Sequence, residues 1–179
     1  MEAKEKFEAA RYFLEQMRKS ALDTKVFIFN LDAFLSTSRS VTFVLQKEFS
    51  ANPKFTAWYT KKQEEMRKDD LMKFFIEMRN VSIKEGSPKT QSVTTLSLFD
   101  SGVATESVSI TVIHPDGAKE EFAPAQPSIP AKQITNPPPD ISCQYFFLQR
   151  TDNDVVHLCE KYLEKLFWLI IEAKKLLTS

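Results

Sequence analysis

A chain of 179 residues, 42% hydrophobic and with fifteen phenylalanines, suffices for one domain with a sizeable core. Lys and Arg balance Asp and Glu at 24 each, which excludes a general grip on polyanions as the leading property. Cys143 and Cys159 lack the paired spacing of a zinc motif and read as free thiols of a reducing compartment.

Residues 2–20 read as a helix, with Phe7, Ala10, Leu14 and Met17 at three- and four-residue spacing. Asp23 is placed to cap a second helix running to about Phe49. Its apolar face carries Phe27, Leu31, Phe34, Val41 and Leu45, with Ser38 where another apolar residue would stand. The small residues of "STSRS" leave room for another helix to approach. Asp32 and Arg39 lie two turns apart on one line beside that face.

Pro53 suits the first turn of a third helix, with Phe55, Trp58 and Tyr59 inward and "KKQEEMRKDD" solvated. Leu71, Phe74, Phe75, Met78 and Val81 continue a helical stripe, and the pattern leaves open whether Lys68-Asp69-Asp70 interrupts it. Gly86 and Pro88 end the helical region.

After Thr90 the pattern becomes β. "SVTTLSLF" and "ESVSITVI" alternate in polarity, "HPDG" at 114–117 forms a turn, and a short strand near Glu120–Phe122 pairs back. Seven of the nine prolines then fall between Pro115 and Pro139, an extended wrap. "SCQYFFLQ" adds a strand, and Asp152 or Asn153 caps a last helix reaching about Leu177. That helix is apolar on more than one face, which suits a central bundle position or a surface shared between protomers. The fold class is mainly α (α+β). A four-helix bundle of residues 1–89 and 150–179 carries an insertion of three to four strands, residues 90–149.

Charge is uneven along this layout. Residues 54–89 hold nine Lys/Arg against six acids, while residues 90–150 hold three against six. Any anion-binding surface is therefore expected on the middle helices. The chain has three Gly and no Gly-rich phosphate loop, no HExxH and no metal-ligand cluster, so neither cofactor nor metal is expected. His114 falls in a turn and His157 on the last helix. Adjacent acids such as Glu64-Glu65 do not face each other on a helix, which argues against acid–base work. The N-terminal "MEAKEKFEAARY" lacks the apolar core of a signal peptide, and "LFWLII" is too short to cross a bilayer. A soluble, cytoplasmic protein without a membrane partner is expected.

Three stretches resemble the HEPN family of helical domains: "LDAFLSTSRSVTFVLQKEF", "EMRNVSIKEG" and the closing helix from Asp152. The resemblance implies an up-down HEPN-like bundle and a homodimer. The family's signature is an Arg, a polar residue such as Asn, and a His little more than a turn later. Catalytic members, some of them toxins of toxin–antitoxin systems, are metal-independent ribonucleases. Here Arg79 and Asn80 match, and Lys84 stands at the His position. A His near pKa ~6.5 exchanges protons at neutral pH, whereas a Lys near ~10.4 stays charged. Arg79 and Lys84, with Arg39, are phosphate-binding candidates, provided the helix ends or unwinds between residues 79 and 84. The reading is a non-catalytic RNA- or partner-binding module of stress or defence systems. The alternatives are a ribonuclease using Arg79, Asn80 and Lys84, and an interaction scaffold that binds a protein partner through residues 90–149.

Overall fold

The computed structural model describes residues 1–97, 110–113, 119–122 and 140–178. The "HPDG" turn, the "DSGVAT" connection and the Pro-rich stretch lie outside the described residues. The described residues form five helices: α1 (Glu2–Lys19), α2 (Thr24–Glu48), α3 (Pro53–Lys68), α4 (Asp70–Lys84) and α5 (Val155–Thr178). Between α4 and α5 lie β1 (Thr90–Ser97), β2 (Ile110–Ile113), β3 (Lys119–Phe122) and β4 (Asp140–Phe147). The chain divides into two compact units, Met1–Pro88 with Val156–Ser179, and Lys89–Val155.

Helices α2, α3 and α4 each begin where a side chain meets the orphaned N–H groups of the first turn. The Asp23 carboxylate accepts from Val26 N–H at 3.0 Å. Asn52 accepts from the N–H groups of Lys54 and Phe55, with Pro53 in the first turn of α3. Asp69 settles the question at Lys68-Asp69-Asp70. Its backbone is extended (φ −80°, ψ 119°), it ends α3, and its carboxylate caps α4 through Met72 N–H at 3.0 Å. The described residues thus hold five helices where the sequence pattern suggests a four-helix bundle. α5 begins at Val155, not after Asp152, because the Asp152 carboxylate is taken by Arg150 and the Asn153 amide. Gly86, at φ +101°, turns the chain out of α4.

The helical core follows the apolar periodicity. Ala3, Phe7, Ala10, Leu14 and Met17 of α1 are buried, as are Phe27, Leu31, Phe34, Leu35, Val41 and Leu45 of α2. α5 closes it: Tyr162 stacks on Phe75 of α4 at 4.3 Å, and Phe34 meets the edge of Phe75 at 6.1 Å. A second cluster joins Ala3, Leu45, Phe55, Tyr59, Leu169 and Ala173. Tyr59 donates its hydroxyl to the Thr42 carbonyl at 2.9 Å, satisfying the one polar group brought inside by that ring.

In the other unit, the four strands form one antiparallel sheet in the order β3-β2-β1-β4. β1 and β4 pair along their full lengths, from Thr90 opposite Phe147 to Ser97 opposite Asp140. β2 turns back onto β3 with Ile110 opposite Phe122.

Candidate functional site

Arg79 lies on the last part of α4 and is half-buried. Its Nη1 donates to the Asn80 side-chain oxygen at 3.2 Å, and its Nε is buried without a partner. No carboxylate among the described residues forms an ion pair with it. Lys84 is the last residue of α4, exposed, and likewise outside any such pair. α4 is continuous from Arg79 to Lys84, so the expected unwinding does not occur. Five residues on an intact helix turn through about 140°, which points the two cations apart. The helix persists because the Asp32 carboxylate on α2 holds its end, accepting from the hydroxyls of Ser82 and Ser87.

Arg39 is half-buried on α2. Its guanidinium lies 4.3 Å from the Phe43 ring centroid, and Nη1 donates to the Thr42 hydroxyl at 2.8 Å. Burial raises the Tyr59 hydroxyl above the usual tyrosine range, and the nearby Arg39 charge and the Thr42 hydrogen bond partly oppose this. Arg39 opens into a pocket of about 140 Å³ between α2, α3 and α4, with Phe43 and Gln46 on one side, Gln63 and Arg67 on another, and Ile76 beneath. Neither arginine pairs with a carboxylate among the described residues. Ile76 is one turn before Arg79 on α4, so Arg79 lies between this pocket and the Asp32–Ser82 contact.

A larger hollow of about 300 Å³ between α3 and α5 contrasts with it. Its cations are engaged: Lys62 with Glu65 and Glu172, and Lys165 with Asp69. Hydrogen bonds that Lys62 donates to the Glu65 and Glu172 carboxylates lead the effects that hold its pKa above the ordinary value.

Of the residues singled out from sequence, Arg39 and Arg79 thus lie along the α2–α4 side and Lys84 points away. Arg67 was missed because it sits within a charged run that reads as solvated surface. The signal available was the Arg39–Phe43 pair at i, i+4. His157 faces Glu160 at 3.6 Å on the first turns of α5. Among the described residues no group of three or more His, Cys, Asp and Glu side chains is placed to hold a metal ion, and no helix is long and apolar enough to cross a membrane.

These features define a mainly helical protein with a small antiparallel sheet and, along one side of its helical unit, arginines that pair with no carboxylate among the described residues. The chain belongs to the family of bacteriophage lambda protein ea47, whose family model matches residues 2–137. No curated protein and no solved structure matches it.

Proposed function

We propose that the chain is a HEPN-like, non-catalytic RNA-binding module that acts in the cytoplasm as a homodimer. In this reading α3 and α4 together stand for one helix of an up-down bundle, interrupted at Asp69. The observation that carries the reading is Arg79. A half-buried guanidinium with no carboxylate partner among the described residues has its charge unmet, and its Nη groups leave donors for a charge-assisted contact with a phosphodiester. The ribonuclease alternative lacks support, because Lys84 is an exposed ammonium about 140° around α4 from Arg79.

Dimerisation is supported by α2. The apolar residues of α5 are largely buried within the chain, apart from Phe167 and Trp168. They therefore give less reason for a shared surface than their pattern suggests. The outer face of α2, opposite its core stripe, instead presents Val26, Phe29, Ala33, Ser36, Ser40 and Phe43 at alternating spacings of three and four, with Lys25 lying 5.8 Å over the Phe29 ring and Arg39 4.3 Å from that of Phe43. Phe29 is 59% exposed and Phe43 51%. Large residues flank a small centre, so an antiparallel copy sets each Phe against small side chains. With aromatics covering ~150–250 Å² each, this stripe offers roughly 400 Å² per copy. That is about half of what a standard interface buries per partner, so the dimer of this reading is weak and transient.

Fluorescence anisotropy with single-stranded RNA tests the reading. The wild type should bind without cleaving, with or without chelator, and Arg79→Ala should weaken binding by about 1.5–3 kcal/mol at an unchanged melting temperature. No binding by the wild type, or loss of folding in Arg79→Ala, sinks it.

A further inference from the structure

The pocket that holds Arg39 and Arg67 asks for a ligand of its own. Its polar lining offers two guanidinium groups and the Gln46 and Gln63 amides, and no carboxylate. The two hydroxyls are committed: Tyr59 donates to the Thr42 carbonyl, and Thr42 donates to the Arg39 carbonyl. Arg39 spends one N–H on Thr42, and its plane is kept over Phe43. Its remaining donors are therefore pre-oriented and meet no acceptor among the described residues. The lysines of the hollow between α3 and α5 are, by contrast, paired with Glu172 and Asp69.

Size and walls narrow the class of ligand. About 140 Å³ corresponds to four or five waters at ~30 Å³ each, enough for a phosphate head and a few carbons. Ile76, Met72 and Met66 supply an apolar wall, and the exposed ring of Phe43 stands at the side. Two arginines suit a dianion with planar oxygen edges better than a monoanion. We propose that this pocket binds a phosphate monoester, with the dianionic head between Arg39 and Arg67 and the ester's carbon part against Ile76 and Met72. The site is separate from the Arg79 contact and stands or falls independently of the RNA reading.

A phosphate monoester reaches the pocket either as a small organic phosphate or as the 5′ end of a nucleic-acid strand. Calorimetric titration with phenyl phosphate, beside inorganic phosphate and benzoate, tests the first source. Anisotropy with one oligonucleotide, with and without its 5′ phosphate, tests the second. Phenyl phosphate should bind more tightly than either control, and Arg67→Gln, an exposed substitution that leaves the core alone, should weaken it by about tenfold. Arg39→Gln should do the same, with circular dichroism confirming that it folds. A preference for the phosphorylated oligonucleotide that Arg67→Gln removes assigns the phosphate to a strand end. Binding of phenyl phosphate without that preference assigns it to a small ester. Absence of both, or binding indifferent to Arg67→Gln, overturns the proposal. Arg79→Ala should leave phenyl phosphate binding intact, so failure here and failure of the RNA reading are read separately.

Discussion

Asp69 joins three helices, and its replacement separates two contributions. One carboxylate oxygen caps α4 through Met72 N–H at 3.0 Å, and the other accepts from Lys165 of α5 at 2.6 Å. Losing an N-cap to Ala costs about 1 kcal/mol. The ion pair is partly exposed, with side-chain accessibilities of 44% and 29%, so solvent screening limits it to roughly 0.5 kcal/mol. Asp69→Ala should therefore cost about 1.5 kcal/mol at neutral pH in urea denaturation followed by circular dichroism. Asp69→Asn keeps a capping oxygen and should cost about 0.5 kcal/mol, and Lys165→Ala should match it. The pH dependence follows from the carboxyl's pKa. Burial alone would raise it, but the Lys165 hydrogen bond and charge, with the N–H groups of Met72 and Leu71, outweigh burial and hold it below the usual 3.8. A depressed pKa contributes stability above the unfolded value and loses it as pH falls through the folded one. The difference between wild type and Asp69→Asn should thus be full above about pH 4 and close below it. If Asp69→Asn costs as much as Asp69→Ala, the cap is not what holds α4, and the reasoning fails.

Tyr162→Ala should cost about 3–5 kcal/mol, since it empties the stack against Phe75; a loss under 1 kcal/mol in the same assay would mean that α5 is not the keystone. Burial pushes the Tyr162 hydroxyl up to about 12 from 10.0, so its contribution is full below pH 10 and declines between pH 10 and 12, and Tyr162→Phe should blunt the alkaline loss of stability. Ser36→Glu, at the centre of the outer face of α2, should make the protein monomeric in light scattering without lowering its melting temperature; a wild type that is already monomeric at high micromolar concentration removes the dimer. Joining Thr90 to Phe147 by a short Gly-Ser linker should leave a helical protein that melts cooperatively, because those two residues are paired neighbours across β1 and β4; collapse of the helical signal would place the sheet within the helical core.

The middle helices were legible because α2 and α3 each carry two signals that agree, an apolar stripe and a capping residue. Asp23, Asn52-Pro53 and Gly86-Pro88 mark boundaries by chemistry that operates within a single turn. Asp69 was ambiguous for the same reason. An Asp inside a charged run caps a helix only if its backbone is extended, and its second partner here, Lys165, lies 96 residues away in sequence. Asp152 misled in the opposite sense, since a capping residue type was consumed by its neighbours Arg150 and Asn153.

The candidate site was less legible because it depends on which charges lack partners. Arg11, Arg18 and Arg67 are all arginines on helices rich in acids, yet Arg11 pairs with Glu8, Arg18 with Glu15 and Glu160, and Arg67 with no described carboxylate. Spacing alone does not separate them: Arg67 has Glu64 three residues before it, the same interval that pairs Arg11 and Arg18 with their acids. What differs is the facing helix. Arg18 meets Glu160 on α5, whereas Arg67 shares its pocket with Arg39 and Phe43 of α2. Two unpaired guanidinium groups are thus brought to one concave surface by the packing of three helices, and the tendency of like charges to repel is offset there only by solvent or by an anion.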